Sequence, residues 1–218
     1  MQNTKSMVNV VGLTFNLFQE NTYIVYDDTK ECVIFDPGCS TSGEERVLVK
    51  EIEDLGLKPV RLINTHCHLD HIYGNAFVAE QYDLPLEIHR DELSVLAYAG
   101  ASSQMFGAPP PKPSPDPEHF IAEDDIIRFG KTELKALFTP GHSPASLSFY
   151  CEEGRFVIAG DVLFYGSIGR YDLPGGNLNT LLTSIKDKLL PLGDDVKVYP
   201  GHGPATTIGQ EKRHNPFL

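Results

Sequence analysis

The stretch that decides the fold of this chain is His66-Cys-His68-Leu-Asp70-His71, which directly follows the apolar run Val60-Arg-Leu-Ile-Asn-Thr65. Imidazole and carboxylate groups are ligands for divalent zinc, iron and manganese. Packing them this densely is unfavourable unless a cation stabilises them, because buried polar groups without partners are costly. The stretch therefore predicts a metal site. A structural zinc site, which usually closes with thiolates, and a surface histidine cluster are the less favoured interpretations.

The spacing within this motif indicates room for two ions. In an extended segment, residues two apart point to the same side, so His66 and His68 can reach one metal together while Cys67 points away. Asp70 and His71 follow a bend where a helix over residues 71–82 is predicted to begin. They would face past the first ion, toward a second.

Three further candidate ligands each follow a predicted strand in a turn that contains glycine: His142, Asp161 and His202. Sites are often built on loops that leave strand ends. We expect His66, His68 and His142 to hold one metal, and Asp70, His71 and His202 to hold the other, with Asp161 bridging them. Two ions roughly 3.5–4 Å apart can share a water, lower its pKa and present hydroxide to a carbonyl or phosphoryl group.

Apolar runs and turn residues predict strands interspersed with helices, arranged as two packed sheets with the helices outside. The expected strands are 8–15, 21–26, 32–35, 60–64, 84–89, 132–138, 146–150, 155–159 and 196–199. The expected helices are one capped by Ser42 that runs to Leu55, then 71–82, 90–99, one capped by Asn177 or Asn179 that runs to Leu190, and a short C-terminal helix.

The segment 100–119 is rich in proline and is predicted to be a long loop without regular structure. Long loops inside a domain are often functional. We expect either a lid over the metal site or a surface excursion.

The bulk composition narrows the partners. The chain has 218 residues, a formal net charge of −12 and 41% hydrophobic residues, which argues against nucleic acid, since phosphate binding needs a basic face. Neither a membrane span nor a secretory signal is expected. The four cysteines show no CxxC or disulfide spacing, so a cytoplasmic protein acting on a small molecule is expected. The oligomeric state is not readable from the sequence.

The chain resembles the metallo-β-lactamase superfamily through His66-x-His68-x-Asp70-His71, Gly141-His142, Gly160-Asp161 and Gly201-His202, in that order. Asn21-Thr-Tyr-Ile-Val25 and Asp36-Pro-Gly38 are also similar to the opening strands of that family. The resemblance covers nearly the whole chain. It implies an α/β (α+β) fold, a four-layer αββα sandwich, as a single domain over residues 1–218, with the metals at one edge of the two sheets.

Within that superfamily the chain looks most like the glyoxalase II group, the hydroxyacylglutathione hydrolases. Asp161 stands where true β-lactamases commonly carry a cysteine ligand, which argues against β-lactam hydrolysis. The resemblance implies hydrolysis of thioesters of the S-(2-hydroxyacyl)glutathione type, with Asp70 and Asp161 as catalytic residues. Arg170 would contact the carboxylate of the thiol carrier, and Tyr171 beside it is a further expected substrate contact. The expected cofactors are two divalent metal ions, zinc first, with iron or manganese as alternatives.

Two departures from glyoxalase II are visible. Gly203 and Pro204 stand where a Glu-Tyr pair usually follows the last histidine, and no C-terminal helical glutathione-binding domain is expected. Other activities stay open: a mononuclear iron persulfide dioxygenase, whose iron would be held by His66, His142 and Asp161, or a hydrolase of lactones or phosphoesters. A non-catalytic metal-binding module is the least favoured.

Overall fold

Two six-stranded sheets form the centre of the protein in a computed structural model that describes residues 7–218. The first sheet contains, in spatial order, β1 (Asn9–Phe15), β2 (Glu20–Tyr26), β3 (Glu31–Phe35), β4 (Lys58–Ile63), β5 (Leu86–Ile88) and β6 (His119–Phe120). The second contains β14 (Thr206–Thr207), β13 (Lys197–Pro200), β10 (Phe156–Gly160), β9 (Leu147–Cys151), β8 (Thr132–Phe138) and β7 (Ile126–Phe129). A separate two-stranded ribbon pairs β11 (Leu163–Phe164) with β12 (Ser167–Ile168).

The helices lie between and after these strands. They are α1 (Ser42–Asp54), α2 (Asn75–Tyr82), α3 (Leu93–Ala97), α4 (Ala99–Phe106), α5 (Leu178–Ser184) and α6 (Ile208–His214). Short 3₁₀ turns occupy Leu69–His71, Arg90–Glu92 and Leu190–Leu192, and a π-helical turn, Ile185–Leu189, extends α5.

Alternation along the strands explains the layers, because successive side chains of a strand point to opposite faces. In β3, Val33 and Phe35 pack between the sheets, whereas Cys32 and Ile34 pack in the cluster that includes Leu48 of α1. The central strands are therefore apolar on both faces.

The same alternation holds in the second sheet. In β10, Phe156 and Ile158 face the first sheet, and Val157 and Ala159 join the cluster that contains Leu181 and Ile185. Helices thus cover the outer face of each sheet, and the expected αββα sandwich is confirmed.

The direction of the strands brings the turns that carry the candidate metal ligands to one edge of the two sheets. β3 and β4 are parallel, with Phe35 opposite Ile63, and β10 and β13 are parallel, with Gly160 opposite Pro200. β8 runs antiparallel to β9, which is itself antiparallel to β10, so β8, β10 and β13 end together. Two backbone hydrogen bonds join the sheets at this edge: Leu147 N–H to Thr65 O at 2.8 Å, and Asn21 N–H to Gly201 O at 2.7 Å.

Several predicted elements differ in their boundaries. Thr41, not Ser42, caps α1, because its side chain accepts from Glu44 N–H and Glu44 returns the bond in a capping box. The helix expected over 71–82 begins only at Asn75, after the separate turn Leu69–His71. The helix expected over 90–99 is a 3₁₀ turn followed by the short α3. Asn177 caps α5 as one of the two predicted caps, by accepting from Thr180 N–H.

The interpretation of 100–119 as wholly irregular is wrong for its first part. α4 includes residues 100–106, since the prolines begin only at Pro109 and nothing before Gly107 interrupts the helix. Gly107, with a φ of +62°, ends it. The proline-rich remainder contacts α2 and the residues before it: Tyr73 donates to Pro109 O at 2.9 Å, and Asn75 donates to Ser114 Oγ at 3.1 Å.

The short strands β6, β7, β11, β12 and β14 were not expected from the sequence. Four of these five are only two residues long, which is too short for a recognisable alternation. Each is defined by its pairing with a neighbour rather than by its own residues.

Within residues 7–218 no helix is long and apolar enough to cross a membrane. The four cysteines are buried as free thiols. Residues 1–6, to which the expectation about a secretory signal applies, lie outside the described part of the chain.

Asp27 joins the two sheets at the end opposite the candidate metal ligands. Its buried carboxylate, just after β2, accepts from Thr29 N–H at 2.9 Å, Lys131 N–H at 2.7 Å and Thr132 Oγ–H at 3.0 Å. Lys131 and Thr132 belong to the β7–β8 turn. Burial opposes ionisation of Asp27, but these hydrogen bonds outweigh it and lower its pKa.

Asp27→Asn is expected to lower the free energy of unfolding at neutral pH by about 1–3 kcal/mol, because a charged acceptor of several hydrogen bonds is lost. The folded-state pKa lies below the unfolded value of about 4, so the stabilisation is present above that value and disappears as the pH falls through the folded pKa. Urea unfolding from pH 7 to pH 3 should show the two proteins converging. Asp28→Asn is the control, since that neighbouring side chain is 55% exposed. Equal behaviour of both variants at every pH would contradict this role.

Candidate metal centre

The seven predicted ligands come together at the shared sheet edge. The motif His66–His71 follows β4, His142 follows β8, Asp161 follows β10, and His202 follows β13. Two groups of ligands form, in each of which the candidate ligand atoms lie within 4.8 Å of one another. The first is His66, His68 and His142; the second is Asp70, His71 and His202.

The first group consists of imidazoles only. Nε2 of His142 lies 3.2 Å from Nε2 of His66 and 2.8 Å from Nδ1 of His68. His66 and His142 are buried, and His68 is partly exposed. Three ring nitrogens converging on one point is the ligand pattern of a zinc or iron site with an open position.

Asp161 lies between the two groups. Its Oδ2 is 3.4 Å from Nε2 of His142 and 3.5 Å from Nε2 of His202, while its Oδ1 is 3.6 Å from Nε2 of His71. Asp70 completes the second group with Oδ2 3.0 Å from Nε2 of His202. One carboxylate therefore lies within 3.6 Å of ligand atoms of both groups.

Two buried atoms of the cluster have no hydrogen-bond partner, namely His71 Nε2 and Asp161 Oδ1. Native proteins satisfy nearly all buried polar atoms, so such a pair calls for an explanation. Both atoms belong to groups that ligate metals, and they face each other. The donor set and these two unpartnered atoms fit a bound divalent cation.

The protonation of the imidazoles differs between the two ligand groups. Burial, reinforced by the neighbouring imidazoles, holds the pKa of His66 well below its ordinary value and lowers that of His68 to about 3. Burial opposes ionisation of Asp161, but His71, His142 and His202 outweigh it and keep its pKa well below the usual range. His66 and His68 are therefore neutral and Asp161 is ionised, the forms in which these side chains bind metal. In the second group, burial lowers the pKa of His71 and of His202, but the carboxylates of Asp70 and Asp161 outweigh it and raise both, so metal binding there would release protons.

Hydrogen bonds from the ring nitrogens that face away from the cluster orient the histidines. Nδ1 of His142 donates to Arg170 O at 2.7 Å, and Nδ1 of His202 donates to Phe18 O at 3.1 Å. A ring that donates through Nδ1 presents the lone pair of Nε2 to a metal. Backbone carbonyls thus select the tautomer of both histidines.

Asp36 orients two of the candidate ligands, a role that nothing in the sequence indicated beyond the quoted stretch Asp36-Pro-Gly38. Its buried carboxylate accepts from His71 Nδ1 at 3.1 Å, and from Thr65 N–H at 2.7 Å and Thr65 Oγ–H at 2.6 Å. Because the Thr65 proton goes to Asp36, Thr65 Oγ is left to accept from Nδ1 of His66 at 3.0 Å. Asp36 therefore orients one histidine directly and a second through a hydroxyl.

Glycine precedes His202 because no side chain fits there. A Cβ at Gly201 would lie 2.1 Å from Asp161 Oδ1 and 2.8 Å from His71 Cε1. At Gly141, before His142, φ is +127°, and a Cβ would lie 2.2 Å from Leu181 N. Glycine is thus required before each of these histidines. At Gly201 it lets the backbone approach the ligand cluster, and at Gly141 it lets the backbone approach α5.

A cavity of about 100 Å³ opens onto the ligands, with Asp70, His142, Asp161 and Arg170 in its lining. The Arg170 guanidinium donates to both carboxylate oxygens of Asp172, at 2.8 and 2.9 Å. Tyr171, the other expected substrate contact, is 39% exposed at the surface. Of these two residues, Arg170 lines the cavity above the cluster and Tyr171 does not.

Glu92 was missed by the sequence analysis, which offered no signal for it. This fully buried carboxylate accepts from Cys67 N–H at 2.8 Å, from Ser143 Oγ–H at 2.7 Å and from Ala145 N–H at 2.9 Å. Cys67 lies between His66 and His68, and Ser143 follows His142. Burial raises the pKa of Glu92, and the three hydrogen bonds oppose that rise. One side chain thus fixes both loops that carry the first ligand group.

Glu92→Gln is expected to weaken metal binding at the first group by about 10- to 100-fold, because residues that orient ligands affect affinity on this scale. The amide would turn a donor toward backbone N–H groups that need acceptors. Competition with a chromogenic chelator measures the affinity, and urea unfolding shows whether the variant is folded. Asp91→Asn is the matched control, since its side chain is 69% exposed. Wild-type affinity in a folded Glu92→Gln protein would contradict the role.

The family model of the metallo-beta-lactamase superfamily matches residues 15–202. One relative, the probable metallo-hydrolase YqgX of Bacillus subtilis, is 43% identical over 92% of this chain and 92% of its own. The hydroxyacylglutathione hydrolase GloC of Haemophilus influenzae is 38% identical over 97% of this chain and 98% of its own.

Solved structures agree with these matches. The BLEG-1 B3 metallo-beta-lactamase superposes with a TM-score of 0.89 at 37% identity, over 96% of this chain and 99% of its own. TTHA1623, solved in a di-iron-bound form, superposes with a TM-score of 0.86 at 38% identity, over 95% of this chain and 100% of its own. With its fold, its histidine cluster and these matches, the chain belongs to the metallo-β-lactamase superfamily, as a metal-dependent hydrolase of that superfamily.

Proposed function

We propose that the protein hydrolyses thioesters of the S-(2-hydroxyacyl)glutathione type with two bound divalent metal ions. The observation that carries this proposal is the position of Asp161, whose two carboxylate oxygens reach ligand atoms of both groups. The similarity to the hydroxyacylglutathione hydrolase GloC, at 38% identity over nearly the whole chain, supports the substrate class.

His66, His68 and His142 would hold one ion, Asp70, His71 and His202 the other, and Asp161 both. Zinc suits this set of ligands, and so do iron and manganese. The ions supply Lewis acidity, which polarises a carbonyl group and lowers the pKa of a water molecule. The di-iron form of the similar structure TTHA1623 supports a pair of ions.

The protein's own residues have two tasks at the bond that is cleaved. The carbonyls of Arg170 and Phe18 and the carboxylate of Asp36 keep the protons of three imidazoles at Nδ1, away from the reacting groups. Asp70 and Asp161, as the proposed catalytic carboxylates, stay ionised at neutral pH and orient the attacking water. A thiolate leaves readily, because thiols have a pKa of about 8.5, so no strong general acid is needed.

Arg170 is the proposed contact for a carboxylate of the thiol carrier, by a charge-assisted hydrogen bond. Its guanidinium is already paired with Asp172, so a substrate carboxylate would bind at its remaining N–H groups or displace Asp172. Tyr171, on the same segment, would add a contact when the substrate covers this surface.

A second candidate is β-lactam hydrolysis, which the 37% identity to the BLEG-1 B3 metallo-beta-lactamase favours. Both reactions cleave an acyl bond, but a β-lactam releases an amine, which needs a proton. A thioester and a β-lactam substrate therefore distinguish the candidates on the same metal-loaded protein.

The first experiment is hydrolysis of S-D-lactoylglutathione by metal-loaded protein, followed by thiol release with and without a chelator. Efficient release that stops with the chelator is the expected result. A chromogenic cephalosporin is assayed in parallel. Hydrolysis of the cephalosporin alone, by protein shown to carry two metals, would replace the thioesterase proposal with the second candidate.

Asp161→Ala is expected to reduce the bound metal from two ions to at most one per chain and to lower kcat for the thioester by at least about 100-fold, because a ligand of both ions is lost. Elemental analysis after gel filtration measures the metal content. Asp187→Asn, which alters a carboxylate on the turn after α5, serves as the control. Unchanged metal stoichiometry and rate in Asp161→Ala would sink the assignment of the bridging ligand.

A further inference from the structure

A second, larger cavity lies beside the small cavity above the ligand cluster. It encloses about 360 Å³, within the range of about 300–1,000 Å³ that is usual for small-molecule sites. Its walls come from α3 and α4, from Pro144 and from the segment 173–175. We call it the α3–α4 cavity.

The α3–α4 cavity adjoins the small cavity whose lining includes the ligand carboxylates Asp70 and Asp161. Both are lined by the same five residues: His68, Leu69, Ser102, Phe106 and Leu173. His68 is one of the three imidazoles of the first group, so a molecule with its carbonyl at the cluster can extend directly into the larger space.

The chemistry of the α3–α4 cavity is apolar. No Asp, Glu, Lys or Arg contributes to its lining. Its side chains include Leu69, Val95, Ala99 and Leu173, with Met105, Tyr98 and Phe106 at the mouth. These last three are 57%, 44% and 39% exposed, so they lie at the open side of the cavity. Exposed apolar surface next to a cavity marks a binding site for an apolar group.

The polar side of the combined site lies in the other direction. Arg170 lines the small cavity and does not line the α3–α4 cavity. An anionic carrier would therefore face Arg170, and the rest of the substrate would face α3 and α4. A lactoyl group is too small to fill about 360 Å³, and a larger polar group would lose hydrogen bonds to water there.

We propose that the α3–α4 cavity binds an apolar acyl chain, so that the substrates are thioesters of an anionic thiol with medium-length aliphatic or aryl acyl groups. This inference rests on the proposed function. Each added methylene would move from water into the apolar lining, which is worth ~0.8 kcal/mol, or about fourfold in affinity.

The test uses thioethers that cannot be hydrolysed, so that binding is read without turnover. S-methyl-, S-butyl- and S-hexylglutathione are titrated into the metal-loaded protein by calorimetry. The dissociation constant is expected to fall by about fourfold per methylene. Met105→Glu, at the mouth of the cavity, should abolish most of this dependence. Gln104→Glu adds the same charge on the same exposed helix but at a residue outside the lining, and should behave like the wild type.

Kinetics with acetyl-, butanoyl- and hexanoylglutathione give the second readout. A rise in kcat/KM with chain length, lost in Met105→Glu and kept in Gln104→Glu, is expected. Chain-dependent binding without hydrolysis of any thioester would refute the proposed function and leave the apolar site intact. Hydrolysis of every thioester at one rate, with equal binding of all three thioethers, would refute the apolar acyl site and leave the proposed function intact.

A second copy of this chain is the competing occupant of the exposed residues Tyr98, Met105 and Phe106. Sedimentation velocity tests it on the same proteins. A dimer that Met105→Glu dissociates, together with binding that does not depend on alkyl length, would overturn the inference. A sedimentation coefficient unchanged by Met105→Glu, with chain-dependent binding, would support it.

Discussion

The structure depends on the meeting of strand ends from two different sheets at one edge. No single segment holds enough ligands for two ions: the motif His66–His71 supplies four of the seven, and the others arrive on three separate turns. Hydrogen bonds from Leu147 to Thr65 and from Asn21 to Gly201 hold these turns in register across the gap between the sheets. A shift of the sheets would split both groups, because each combines residues that follow β4 with a histidine from the second sheet.

Two buried carboxylates stabilise this edge from behind: Asp36 contacts the ligand His71 directly, and Glu92 contacts the loops that carry the first ligand group. Asp36 accepts from His71 and Thr65, and Glu92 accepts from the backbone on either side of the first ligand group. Each is a charged acceptor for several donors, an arrangement that is favourable only when its geometry is complete. They make the positions of the imidazoles a property of the folded chain, which is how a site achieves preorganisation.

The sequence reveals the seven ligands because their residue types and their glycine neighbours are unusual. Gly201 precedes His202 for a reason that acts within the cluster, namely the 2.1 Å that a Cβ would leave to Asp161. The long strands can likewise be recognised in the sequence. Cys32-Val-Ile-Phe35 is apolar at every position, because its two faces pack against two different hydrophobic clusters. Glu92 has no such mark, because its partners, two backbone N–H groups and the hydroxyl of Ser143, are distant in sequence. The helical part of 100–119 was hidden by the prolines that follow it.

Side-chain type, period and spacing alone therefore predict two packed sheets with helices outside, the chemistry of the ligands and their division between two groups. The family of folds followed from the resemblance that the ligand motifs carry. Only folding decides which oxygen of Asp161 faces which histidine, that Asp36 and Glu92 orient the imidazoles, and that α3 and α4 enclose an apolar cavity beside His68. These features arise from contacts between segments far apart in the chain. Their energies depend on burial and on distances of a few tenths of an ångström, which no local pattern encodes.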